Sequence, residues 1–313
     1  MAKHIFLVHG RDCKPGEETL RNNWEGALRF GISRENPAME EKFESVQKTM
    51  VYYGDRSNEF LRKRGTSYDE AKDQKDRGSC LDDLKKYRSE DFNKEKYNAL
   101  PGKSAFREAI GDIFSGPLTW LGLEEKLVKK VAPDIGRYWS EDTDFGSEVR
   151  WRLAKPLATA LREGDDIMLI CHSLGTLIAY DVLWKFSHYS EYRDADYFDL
   201  RGKKITALVT LGSPLGDETV KRKLKGAGAE WGRRYPSNIG RWINMVAEDD
   251  YIAHDESLAD DYEAMEQFGL VESVVDHKIY NLAVREGKSN PHHGAGYLIH
   301  PVVSNTVIDW LVS

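Results

Sequence analysis

The chain has 313 residues, 40% of them hydrophobic and 31% charged, with a net charge of −7. That is long enough for one large α/β domain carrying an insertion. The acidic balance argues against nucleic acid as a main partner.

The start, MAKHIFLVHGRD, holds one lysine and an apolar run too short for the core of a signal peptide. No stretch reaches about 18 apolar residues, so no transmembrane helix is expected. Cys13, Cys80 and Cys171 lie far apart and lack C-x-x-C spacing. A disulfide framework is therefore not expected, and a reducing compartment, the cytoplasm, fits.

In chain order, six short runs read as strands: 4–9 (HIFLVH), 48–54, 166–171 (DIMLIC), 205–212 (ITALVTLG), 242–247 (WINMVA) and 278–284 (KIYNLAV). They are mostly continuous apolar runs rather than strictly alternating ones, as strands covered on both faces are. Helical patterns separate them at 16–31, 146–163, 174–188, 217–226, 257–268 and 302–312. This alternation predicts an α/β fold with a mostly parallel central sheet of about six strands flanked by helices. Residues 55–140 break the alternation and read as a helical insertion, so 1–54 and 141–313 form the expected core domain. The charged half of the insertion reads as solvated helical surface. Its apolar half, AIGDIFSGPLTWLGLEEKLVKKVA, reads either as a lid or as a docking helix, and Phe114, Trp120 and Leu121 are its candidate substrate-covering residues.

The stretch MLICHSLGTLIAYDVLW puts Ser173 between a strand and a helix. A serine hydroxyl is a weak nucleophile unless it is held in an exposed, forced position with a base in reach, and a sharp strand-to-helix turn supplies that position. The first helical residues also offer free N–H groups and a positive dipole end to an oxyanion. The pattern is C-x-S-x-G rather than G-x-S-x-G, because Cys171 occupies the first glycine position; it is small enough to be tolerated there, opposite Gly175. Later in the chain, Asp249 and Asp250 follow one strand, and His292, His293 and His300 follow another. The order Ser, Asp, His is that of the α/β-hydrolase triad. The histidines lack a carboxylate or cysteine at ligand spacing, so no metal is expected; no cofactor is needed either. His172 reads as structural, pointing away from the reacting side.

The segments FLVHGRD, ICHSLGTLIAYDVL, VTLGSPLG, WINMVAEDDYIAHD and NPHHGAGYLIHPVV, in that order, resemble the α/β-hydrolase superfamily, and more narrowly its lipase- and esterase-like serine hydrolases. The resemblance covers 4–54 and 140–313 and does not extend clearly into 55–140. It implies Ser173 as nucleophile, Asp250 as the acid in preference to Asp249, and His292 as the base in preference to His293. It also implies that the amides of Arg11 and Leu174 hold the oxyanion. The expected activity is cleavage of a carboxylic ester, with a small-molecule ester or a lipid as substrate. Acyl transfer or thioester cleavage on the same residues is the alternative, and a non-catalytic binding protein on this fold is the rival class.

Overall fold

The computed structural model describes residues 2–102, 133–188, 199–200, 202–253 and 257–313. Six strands make one sheet: β1 (Lys3–Val8), β2 (Gln47–Val51), β3 (Asp166–His172), β4 (Ile205–Leu211), β5 (Ile239–Ala247) and β6 (Ser273–Ile279), in the order β2-β1-β3-β4-β5-β6. Every neighbouring pair is parallel. The chain runs from β1 outward to β2, then returns past β1 to β3 and proceeds in the other direction. This reversal opens a crevice at the carboxyl ends of β1 and β3, where open parallel sheets bind their ligands.

The apolar runs are continuous because both faces of the sheet are covered. Ile5 and Leu7 of β1 face one layer with α1 (Glu17–Glu35), α4 (Glu70–Leu84) and α12 (Pro301–Val312). Phe6 and Val8 face the other layer, with α7 (Phe145–Glu163), α8 (Leu174–His188) and α10 (Leu258–Gln267). Between these lie α2 (Glu40–Ser45), α3 (Gly54–Lys63), α5 (Lys94–Asn98), α6 (Pro133–Trp139), α9 (Glu218–Lys221) and α11 (Gly294–Leu298).

The described part of 55–140 is helical and is built into the core. Cys80, Leu81 and Leu84 of α4, with Tyr97 of α5, share an apolar layer with Leu7 of β1. The same helix also departs from the expected solvated surface. Its Asp73 and Asp76 pair with Arg285, and Asp73 also holds Arg77. Phe114, Trp120 and Leu121 lie outside the described residues, and the reading of that stretch as a lid lies there with them.

Several predicted elements differ in extent, two of them in a way that bears on the site. The last strand is Ser273–Ile279 rather than 278–284. As an edge strand it pairs on one side only, and its SVVDHKI run mixes polar with apolar residues, which hid it. The apolar residues Leu282 and Ala283 are buried outside the sheet, ahead of a small hairpin of β7 (Val284–Arg285) and β8 (Lys288–Ser289). The helix expected over 217–226 is the single turn Glu218–Lys221. Among the described residues, no helix is long and apolar enough to cross a membrane.

Candidate active site

Ser173 stands between β3 and α8 with φ +55°. A non-glycine residue held in the left-handed region costs on the order of 1–3 kcal/mol and needs surrounding structure to hold it there. The Ser173 N–H donates to the Leu211 carbonyl across 3.0 Å, continuing the β3–β4 ladder. Its own carbonyl accepts from the Thr176 amide at 2.9 Å and the Thr176 hydroxyl at 2.7 Å. Both ends of the turn are thereby fixed.

The close approach that demands glycine at position 175 comes from β1, not from Cys171. A Cβ on Gly175 would lie 2.5 Å from the Val8 carbonyl oxygen and 2.6 Å from that of His9. Cys171 is instead a buried β3 residue paired with Val8 and Thr210, and burial pushes its thiol well above the ordinary value. This explains why the turn accepts a cysteine there.

The loop after β1 packs directly on the serine. A Cβ on Gly10 would meet Ser173 Cβ at 2.7 Å. The loop is fixed by hydrogen bonds. His9 donates from Nδ1 to the Gly10 carbonyl at 2.8 Å, while its Nε2 accepts the Tyr53 amide at 3.0 Å. The Asp12 amide reaches Asp134 Oδ2 at 2.7 Å. Lys14 and Asn58 exchange two hydrogen bonds of 2.8 and 2.7 Å. Arg11 therefore sits in a rigid loop against the serine. Leu174 is the first residue of α8, where main-chain N–H groups lack helical acceptors.

On the far side, His292 Nδ1 donates to Asp250, 2.9 Å from each carboxylate oxygen. Asp250 is buried and also accepts the Ile252 amide at 3.1 Å and the Tyr297 hydroxyl at 2.6 Å. Burial, the largest single influence, pushes the carboxyl up. The His292 ring and the hydrogen bonds from His292 and Tyr297 outweigh it, so Asp250 titrates below the ordinary range and stays ionised. The histidine loop is set by Asn281, which is fully buried and donates to the carbonyls of Pro291 at 2.8 Å and His293 at 3.0 Å. Gly212, at φ +54°, leaves room for the pair: a Cβ there would lie 2.7 Å from Asp250 Oδ2 and 3.0 Å from His292 Nδ1.

Ser173 Oγ and His292 Nε2 are both buried without a hydrogen-bond partner among the described residues. Both residues line one cavity of about 140 Å³. The structure thus brings Ser173, His292 and Asp250 to the same end of the sheet, while their alternatives, although His293 also lines the cavity, are engaged by other partners. Asp249 accepts from the Tyr97 hydroxyl at 3.1 Å. His293 turns its ring between Arg285, 3.1 Å from Nε2, and Cys80, 3.8 Å from Nδ1. His300 caps the N-terminus of α12.

His172 does not point away from the cavity, as its neighbour position suggested, but lines it. Its ring lies 4.6 Å from that of His292, and its Nε2 donates to the His292 carbonyl at 2.8 Å. Burial, reinforced by the His292 ring, holds it well below the ordinary imidazole value, so it is neutral. The cavity wall also holds residues that the sequence did not single out: Lys14, Trp24, Arg77 and Arg285. They come from separate segments, and nothing in their spacing marks them. Among the described residues, no group of His, Cys, Asp and Glu side chains could hold a metal ion. No family model, curated protein or solved structure matches the chain.

Proposed function

We propose that the protein is a serine hydrolase of the α/β-hydrolase superfamily that cleaves carboxylic esters of small molecules or lipids through an acyl-enzyme. The observation that carries this reading is the pair of buried atoms without a partner among the described residues, Ser173 Oγ and His292 Nε2, on residues that line one cavity, while His292 Nδ1 is held on an ionised Asp250. Other buried side-chain atoms of the described residues also lack a partner, but this serine oxygen and this imidazole nitrogen belong to residues that line the same cavity. A nucleophile and its base awaiting a substrate fit that arrangement, since such hydrogen bonds are often long before substrate binds.

In the proposed reaction, Ser173 Oγ attacks the ester carbonyl carbon and its proton passes to His292 Nε2. Asp250 fixes the imidazole tautomer and stabilises the imidazolium. The amides of Arg11 and Leu174 hold the tetrahedral oxyanion, each donor of this kind being worth about 100- to 1,000-fold in rate. The carbon–oxygen bond to the alcohol breaks, and the leaving oxygen takes the proton from His292. Water then adds to the acyl-enzyme, giving its proton to His292. The acid leaves, and the proton returns to Ser173. The unpaired thiols Cys13, Cys80 and Cys171 support a reducing compartment, the cytoplasm, as the place of action.

Labelling with a fluorophosphonate tests the reading. Phosphonylation mapped to Ser173 by mass spectrometry, and lost in Ser173→Ala, is the expected result. Absence of labelling in the folded wild type would overturn it and favour a binding protein on this fold.

A further inference from the structure

The cavity beside Ser173 and His292 is not the apolar chamber that a lipid ester would need. Its wall presents four cationic side chains, Arg11, Lys14, Arg77 and Arg285, and one carboxylate, Asp12. The four come from the loop after β1, from α4 and from the β7–β8 hairpin, so the fold and not a local sequence run gathers them. Asp73 and Asp76 engage Arg77 and Arg285 from behind and are not part of the wall, and Asp134 stands in the same relation to Arg11.

Two of the cations keep donors in hand. Arg77 uses Nε on Asp73 at 2.8 Å, and its two terminal nitrogens have no hydrogen-bond partner among the described residues. Lys14 is 7% exposed and gives its ammonium group only to the main-chain carbonyls of Arg11 and Asp12. It has no ion pair with a carboxylate among the described residues. Burying an ammonium group without a directly paired counter-ion is costly. Burial, followed by the charge of Arg77, lowers the Lys14 pKa to about 8, although the carboxylates of Asp12, Asp134 and Asp73 act in the other direction. An anion entering the cavity would favour the charged form further. The room is small: a cavity of about 150 Å³ takes a benzene-sized guest, and this one is about 140 Å³.

Resting on the hydrolase reading above, we infer that the substrate is a small ester carrying a negative charge. Its carboxylate or phosphate group enters the cavity beside Ser173 and is held by Lys14 and Arg77. The anion fixes which end of the ester lies against the wall, and so orients the carbonyl toward Ser173 Oγ.

Two matched pairs of esters test this at low ionic strength. Monomethyl glutarate against dimethyl glutarate places the charge on the acyl side. Acetoxybenzoate against acetoxybenzamide, both para-substituted, places it on the alcohol side. In at least one pair the anionic ester is expected to show a kcat/KM about tenfold or more above the neutral one, the worth of one charge-assisted hydrogen bond. Arg77→Gln is expected to bring the ratio of anionic to neutral kcat/KM within the variant down toward one, the neutral ester serving as its own folding control. Lys14→Met removes an ammonium group that also holds the Arg11 carbonyl, so it is read through the same ratio and not through its absolute rate. Equal or slower cleavage of the anionic ester in both pairs, with neutral esters still cleaved, overturns the anion assignment and leaves the hydrolase reading standing. No cleavage of any of the four, together with no fluorophosphonate labelling of Ser173, overturns both.

Discussion

Tyr297 donates its phenolic proton to Asp250 Oδ2 across 2.6 Å, and its oxygen accepts the Ala247 amide at 2.9 Å. One hydroxyl thus ties the carboxylate behind His292 to the last residue of β5. In Tyr297→Phe the carboxylate loses a donor, and the Ala247 N–H is left buried and unpaired. We expect a loss of about 1–3 kcal/mol in urea denaturation. The kcat on a chromogenic ester should fall about tenfold, because the imidazole is less firmly oriented.

Ser173 sits at φ +55°, where glycine is unstrained and alanine is not. Ser173→Gly should abolish ester cleavage and raise the unfolding free energy by about 1 kcal/mol, part of the strain stored at this position. Ser173→Ala should be equally inactive but gain less. Denaturation curves of the three proteins, measured side by side, check the order.

Gly212 is the third point of contact for the Asp250–His292 pair. A methyl group at this position, 2.7 Å from Asp250 Oδ2, must displace the carboxylate or the ring, and the backbone at φ +54° resists it as well. Gly212→Ala should lower kcat/KM about 100-fold, the scale of a misplacement of about 1 Å. Steady-state kinetics on any substrate found for the wild type would show it.

His300 is nine-tenths or more buried, and burial, with the charge of Arg34, lowers its pKa from 6.5 to about 3. The unfolded chain therefore takes up the proton first. The contribution to stability is complete above about pH 6.5 and is lost as the pH falls toward about 3. His300→Asn retains an acceptor for the Val302 amide at the start of α12. It should flatten the dependence of unfolding free energy on pH in that window by about 1.4 kcal/mol per pH unit, the slope due to one proton. The buried rings of His9, His172 and His293 are shifted in the same direction, so the variant keeps a residual slope.

The parts of the molecule that can be read from the sequence are those where one physical demand dominates. HIFLVH, DIMLIC and ITALVTLG are mostly apolar because two helical layers cover them, and they name the central strands directly. The edge strand β6 answers to one neighbour and to solvent, so its composition is mixed and the more apolar stretch that follows it reads as the strand instead. The order of Ser173, Asp250 and His292 along the chain is legible, since each follows a strand. Which aspartate and which histidine face each other depends on Tyr97, Arg285 and Cys80, which occupy Asp249 and His293 from other segments. The cationic wall is invisible in the sequence. Arg77 lies within a charged run that reads as surface, and only the packing of α4 against the core turns it inward.

That packing has a consequence for the histidine loop. Arg285 reaches Asp73 at 2.7 Å and also Asp76 on α4, while the remaining nitrogen of the same guanidinium meets His293, the residue next to His292. The Glu286 amide adds a fourth tie, 3.0 Å to Asp76. A helix that looks like filler is therefore the ruler against which the His292 loop is set. Grafting a foreign helix over 70–84, even one with the same apolar stripe, would leave the serine turn intact yet shift the imidazole. The transplant would be well folded, readily phosphonylated only at high reagent concentration, and slow.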